Sequence, residues 1–501
     1  MNSSGSAWTV VAMLRPLRPA KFVRSLAILP QAPLLSLTDQ KKLLELRKAA
    51  ELAALLKRKK AEKARIPPRF NTLRSLRAVL RAYEEKRPAL RESDAAAAIV
   101  AIGRFGRDAA DRQLADPFAA SARVARIRAD VARCVPALRS RELAGVLHGC
   151  ALVRAREAPL VGVVCAALAQ KSDQLDVRDV STSVNALGRL GLPHDALLPR
   201  LLARAERDAR AMHAIELANV ASGTLALLGP HHTPPRLLRA IAETAVLKID
   251  QFGAEELGRL LASLTSHRLY DSRLLAAAGG ALPLVIGDMS PTDFVRLSHA
   301  FASACAAKKW WEPVTLELLG GEAAARAPAF SAEQAARTLA SFGRLGWDQR
   351  DTTRALGRRI ADEAAAGAAD LGAIATGLRA LSRLPSADPA DVAALVAAAA
   401  DVPLPAADAC AAATGAADLQ RVSTLANALV HHGALPPPPL LALVRALPLD
   451  RMHATTGTSD DLVQRSVAKL RHALRAWEAA PPERPRRGYR APAGCAVKFS
   501  L

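Results

Sequence analysis

Apolar residues in this chain recur three and four apart, in runs that close on a glycine or its stand-in and restart at a nearly fixed step. In DVSTSVNALGRLG (179–191), Val180, Val184, Leu187 and Leu190 share one helical face, and Asp179 stands where an acid favours the N-terminal end of the helix dipole. Gly191 supplies the left-handed backbone that a helix end often needs, and Pro193 cannot continue the helix. A second helix is expected from about His194 to Arg210, with Leu197, Leu198, Leu201 and Leu202 as its apolar stripe. Pro199 lies near enough to its start to be tolerated in the first turn.

The same pattern returns in ELANVASGTLALLG (216–229) and QAARTLASFGRLG (334–346), with an early copy in DAAAAIVAIGRFG (94–106). Gly191 and Gly229 are 38 residues apart, and two more such steps reach His267 and Cys305, which close the degenerate copies ELGRLLASLTSH and DFVRLSHAFASAC. After a slip of three to Gly346, a further 38 residues reach Leu384. A helical hairpin of this size cannot bury its apolar face alone, so neighbours must stack. The predicted fold is all-α: an α-solenoid, expected to be a right-handed superhelix, of eight or nine degenerate hairpins of about 38 residues over residues 92–445. Spacing widens at 107–140 and 385–417, which hold insertions or an extra helix. No run alternates β-branched residues, so no sheet is expected. Half the residues are hydrophobic but only 4% are aromatic, with abundant Ala for close helix approach.

Charge divides the chain differently. Residues 1–91 carry a net +15 and residues 465–501 a net +7, so 92–464 are neutral within a total of +22. Basic ends suit sequence-independent neutralisation of phosphates. Residues 1–38 hold Arg15, Arg18, Lys21 and Arg24 but no acid, which is the composition of an organelle transit peptide; an ordinary disordered N-terminus is the alternative. Residues 39–91 form a basic helical arm and linker, in which Lys57, Arg58, Lys59 and Lys60 are candidate phosphate contacts; the run also fits a nuclear signal. Residues 446–480 are expected to cap the solenoid. Residues 481–501 make a Pro/Arg-rich tail with Arg484, Arg486, Arg487 and Arg490 as further phosphate contacts, disordered until a partner is met.

The chain has no phosphate loop, dinucleotide fingerprint or nucleophile elbow, so an enzyme, a small-molecule substrate and a bound cofactor are not expected. Six dispersed cysteines (134, 150, 165, 305, 410, 495) form no Cys-x-x-Cys pair and read as reduced thiols. His231–His232 and His431–His432 lie near helix ends, where capping or solvation is favoured over a metal. Trp310–Trp311 fills an inter-repeat gap or stacks on a base. No stretch reaches the length of a membrane span.

The paired helices, the 38-residue step and strings such as Ala-Leu-Gly-Arg-Leu-Gly-Leu-Pro resemble the octotricopeptide repeats of organelle RNA-binding proteins, and the helical arrays of FAST-kinase-like and RAP-domain proteins look similar. The resemblance implies that each first helix offers polar residues to one nucleotide. The matching positions are Thr182 and Asn185, Asn219 and Ser222, Arg296 and His299, Arg337 and Ser341, and Thr424 and Asn427, on the exposed side of the first helices. Other copies hold apolar or small residues there, such as Gly258 and Leu261. The expected function is organellar RNA binding, as a component or assembly factor of the mitochondrial ribosome with rRNA and ribosomal proteins as partners. The alternative is a sequence-selective binder of single-stranded transcripts in processing, stability or translation; a protein scaffold is a third reading. The mitochondrial matrix is preferred to the plastid.

Overall fold

The computed structural model describes Glu51 and residues 69–111, 121–155, 159–308, 313–411, 416–449 and 461–479. The organelle leader, Lys57–Lys60, Trp310–Trp311 and the Arg484–Arg490 tail lie outside them. Among the described residues every regular element is helical, as the repeat predicted, and no helix is long and apolar enough to cross a membrane. Two compact units divide after Val164.

In the first unit, α1 (Leu76–Lys86) packs on α2 (Glu92–Asp111), which packs on α3 (Ala122–Cys134) and α4 (Ser140–Leu152). α2 and α4 meet through glycines: a Cβ on Gly103 would stand 2.5 Å from the Gly149 carbonyl oxygen. α2 continues through Gly106 to Asp111, because no proline follows that glycine to stop it. Tyr83 donates to Asp130 Oδ2 at 3.0 Å, and Arg87 grips both carboxylate oxygens at 2.8 Å, with Arg133 on the same group. Those donors hold the Asp130 carboxyl down to about 2, the Arg87 fork contributing most and burial opposing it. The division between units falls within α5 (Pro159–Gln170).

The second unit is a run of helix pairs. Its first helices are α6 (Val177–Leu190), α8 (Ala214–His232), α10 (Ala254–Ser266), α12 (Pro291–Lys308), α14 (Ala332–Leu345), α16 (Leu371–Leu381) and α19 (Ala416–His431). Each packs on the next of these, and α21 (Asp461–Glu478) closes the layer against α19. The second helices, α7 (Leu198–Asp208), α9 (Pro235–Leu247), α11 (Ser272–Val285), α13 (Pro313–Arg326), α15 (Arg350–Ala365), α17 (Pro389–Asp401) and α20 (Pro438–Ala446), make a parallel layer in the same order. The core lies between the layers, with Leu187, Leu201, Leu217, Leu260, Leu339 and Leu356 all at 0% exposure. The widened stretch at 385–417 does hold an extra helix, the short α18 (Ala407–Ala411).

Helix ends follow the sequence where glycine and proline act together. Gly191 and Gly346 close α6 and α14 in the left-handed region, at φ 61° and 66°. Gly229, at φ 66°, kinks α8 and leaves Pro230 to start its last turn. The second helix expected from His194 begins only at Leu198, with Pro199 in its first turn, because residues 195–197 form a turn.

A device not anticipated from sequence recurs between hairpins. The second helices α5, α7, α9, α11 and α13 pass into a 3-10 turn, and one extended residue then plugs the core before the next first helix: Leu175, Met212, Phe252, Met289 and Phe330, none more than 4% exposed. Basic side chains of the second layer staple these turns. Arg200 Nη1 donates to the Ala169 carbonyl at 2.7 Å, Lys248 Nζ to those of Arg210 and Met212 at 2.8 Å, and Arg359 Nε to that of Phe330 at 2.7 Å. Otherwise orphaned carbonyls are thereby satisfied.

Candidate functional site

The first helices of the second unit leave one face uncovered, and its exposed residues follow an i, i+4, i+7, i+11 pattern that is one stripe of an α-helix. In α6 the stripe is Arg178, Thr182, Asn185 and Arg189; in α12 it is Thr292, Arg296, His299 and Ser303; in α14 it is Glu333, Arg337, Ala340 and Arg344. Because the helices stack in order, these stripes line up side by side. Asn185 Nδ2 donates to Asn219 Oδ1 at 2.5 Å across α6 and α8, and Arg344 Nη1 donates to Ser303 Oγ at 2.9 Å across α12 and α14.

Nine of the ten residues expected at an RNA-reading face lie on it. Arg296, His299 and Arg337 are exposed; Thr182, Asn185, Asn219, Ser222, Thr424 and Asn427 are half-buried. Some are engaged locally, since Ser222 Oγ donates to the Ala218 carbonyl and Thr424 Oγ1 to that of Gln420. Ser341 is the exception. It is 1% exposed, and its hydroxyl donates to the Arg337 carbonyl at 3.0 Å. The other pairs are three residues apart and this one is four, so Ser341 is turned about 100° away from the stripe position, which Ala340 holds. The same slip misplaced the copy in α10. Gly258 and Leu261 are buried, and the stripe there is Glu255, Arg259, Ala262 and Ser266.

Four cations that the sequence reading did not single out join this face toward the C-terminal end: Arg344, Arg379, Arg383 and Lys469. The signal was present, because Arg189, Arg344 and Arg383 are the arginine of the repeat motif itself. They lie close enough to act on one another. His299 opens to solvent between protein walls, and that partial burial, then Arg344 and Arg337, pushes its pKa below the ordinary imidazole value. Arg379 is held below its ordinary value by burial, then by Arg383 and Arg344. Lys469 is lowered by burial, then by Arg379, Arg465 and Arg383. Arg337 pairs with Glu333 at 3.2 Å, whereas Arg379, Arg383 and Lys469 have no carboxylate partner among the described residues. A cleft of about 530 Å³ opens here, lined by Arg337, Thr376, Arg379, Arg421 and Thr424 and also by Glu333 and Asp370.

The paired histidines sort as capping suggested: His232 Nδ1 is 3.3 Å from the Leu228 carbonyl, and His432 Nε2 is 2.9 Å from that of Leu378. Cys150, Cys165, Cys305 and Cys410 are buried and Cys134 is half-buried, none of them in a disulfide. Among the described residues, no group of three or more His, Cys, Asp or Glu is placed to hold a metal.

A family model described as RNA-editing substrate-binding complex 6 protein matches residues 131–388, about half of the chain. The match does not confirm the octotricopeptide or FAST-kinase-like resemblance. No curated protein matches at a significant level.

Proposed function

Because the chain belongs to the RNA-editing substrate-binding complex 6 protein family, we propose that it is an RNA-binding solenoid that holds RNA within a protein–RNA assembly and performs no reaction of its own. The observation that carries this reading is the aligned stripe of hydrogen-bonding and cationic side chains on consecutive first helices, Thr182 and Asn185 through Arg379 and Arg383. A surface of that kind suits unpaired RNA, whose base edges and backbone are both within reach of side chains. The family name supports RNA as the ligand and an assembly as the setting.

The composition of residues 1–38, basic and free of acid, supports delivery to an organelle, the mitochondrial matrix before the plastid. Sedimentation of an organelle lysate, followed by sequencing of RNA crosslinked to the chain, tests the reading. Crosslinks to transcripts in a pool lighter than the ribosome are the expected result. Co-migration with a ribosomal subunit at high salt, with crosslinks to rRNA, would move the chain to ribosome assembly. Protein contacts with no RNA would leave a scaffold and defeat the proposal.

A further inference from the structure

The two ends of the first-helix face differ in chemistry. Along α6 and α8 the central stripe positions are Thr182, Asn185, Asn219 and Ser222, all uncharged, with Arg178 and Arg189 flanking them on α6. From α12 to α21 the stripe takes in Arg296, His299, Arg337, Arg379 and Lys469, with Arg344 and Arg383 beside them and the uncharged Thr424 and Asn427 on α19.

In the second layer Arg326 pairs with Glu322 at 2.9 Å, Arg359 with Glu363 at 2.6 Å, and Arg204 with Asp208. On the opposite face Arg379, Arg383 and Lys469 stand without such acids. They lie near enough to repel one another, Lys469 on α21 acting on Arg379 of α16 and on Arg383 just past its end. Gathering like charges on one face is unfavourable for the free chain, so the arrangement calls for an anion from outside.

Its reach sets the kind of anion. Stacked helices are roughly 8–10 Å apart, so a row from α12 to α21 extends over roughly 30–40 Å. That is far longer than one phosphate or carboxylate and fits a polyanion. Guanidinium forks match phosphate oxygens in pairs. The neighbouring amide and hydroxyl stripe can meet base edges only where those bases are unpaired.

Resting on the RNA-binding reading above, we propose that the C-terminal half of the first-helix face grips the phosphodiester backbone of single-stranded RNA, through Arg344, Arg379, Arg383 and Lys469, while the uncharged central positions of α6 and α8 meet its bases. The grip supplies affinity and the uncharged central positions supply preference.

Titrating the full chain with a fluorescent single-stranded oligouridine over a range of salt concentrations tests this division. The triple variant Arg379→Ala, Arg383→Ala, Lys469→Ala removes about three phosphate contacts. Its slope of log affinity against log salt should flatten by about 2, equivalent to roughly a hundredfold weaker binding near 0.1 M salt. Arg379→Lys with Arg383→Lys should keep the slope, and melting curves of all variants check that each is folded. Asn185→Ala with Asn219→Ala should leave the slope intact while altering the ranking of oligouridine against oligoadenosine. An unchanged slope in a folded triple variant that still binds RNA would overturn the grip and leave RNA binding standing. A wild-type chain that ignores both oligonucleotides, or holds polyglutamate as tightly, would overturn RNA binding and the grip with it.

Discussion

Asp130 illustrates how much one side chain of the first unit carries. It accepts from Tyr83, Arg87 and Arg133 at once, and is itself buried to 8% exposure. Asp130→Ala leaves a buried phenol and a guanidinium without their acceptor and should cost about 1–3 kcal/mol. Urea unfolding would register this as a lower midpoint at unchanged slope. Its folded pKa lies below the unfolded value, so the contribution is complete above the ordinary 3.8 and is lost as pH falls through about 2. His432 acts in a higher pH window. Burial pushes its pKa below the ordinary 6.5, with the bond to the Leu378 carbonyl opposing it. The neutral ring therefore supports the fold above about pH 6.5, and its contribution disappears on further acidification. Melting temperatures measured from about pH 7 to pH 5 should fall for the wild type and fall less for His432→Gln. The misplaced Ser341 belongs to this scale too: one residue of register separates a side chain on the open face from one sealed beneath it.

Elements are where the sequence was most legible. The first helices and their glycine stops at Gly191 and Gly346 could be read from apolar spacing and Gly/Pro signals, which act locally, whereas the wide spacing at 385–417 left insertions and an extra helix equally open. The recurring 3-10 turn with its buried plug carries no such signal, because a lone Leu, Met or Phe between polar residues resembles any loop until its neighbours close over it. The cationic groove was hidden for a related reason. Its members come from repeats of unequal length, and they converge only once each helix is rotated correctly. Glycine shows how packing divides residues of one type. A Cβ on Gly223 would lie 2.6 Å from the Val184 carbonyl oxygen, so Gly223→Ala should push α6 and α8 apart at a cost of about 1–3 kcal/mol. Gly280, inside α11, has nothing within 4 Å of such an atom, and Gly280→Ala should stabilise by about 0.5–1 kcal/mol. Thermal unfolding of the two variants should therefore shift in opposite directions.

For the molecule as a whole, the boundary between fold and tail matters to any truncation. α21 buries Val467, Leu470 and Ala473, all at 0% exposure, so a cut at 465 would strip the last layer from α19 and remove Lys469 as well. Ending the chain after residue 479 keeps α21 and should flatten the salt dependence of RNA binding, since Arg484, Arg486, Arg487 and Arg490 are lost. An unchanged salt slope would remove the tail from the binding account. The crowded cations between α12 and α21 have one more consequence, which concerns the protein before it meets any ligand. Their mutual repulsion acts against the folded state and is relieved by the counterions of ordinary salt. Raising salt should then increase the melting temperature of the free protein, and less so with Arg383→Ala and Lys469→Ala in place. The same salt loosens an RNA complex, so ionic strength would strengthen the empty array while weakening its hold on its ligand.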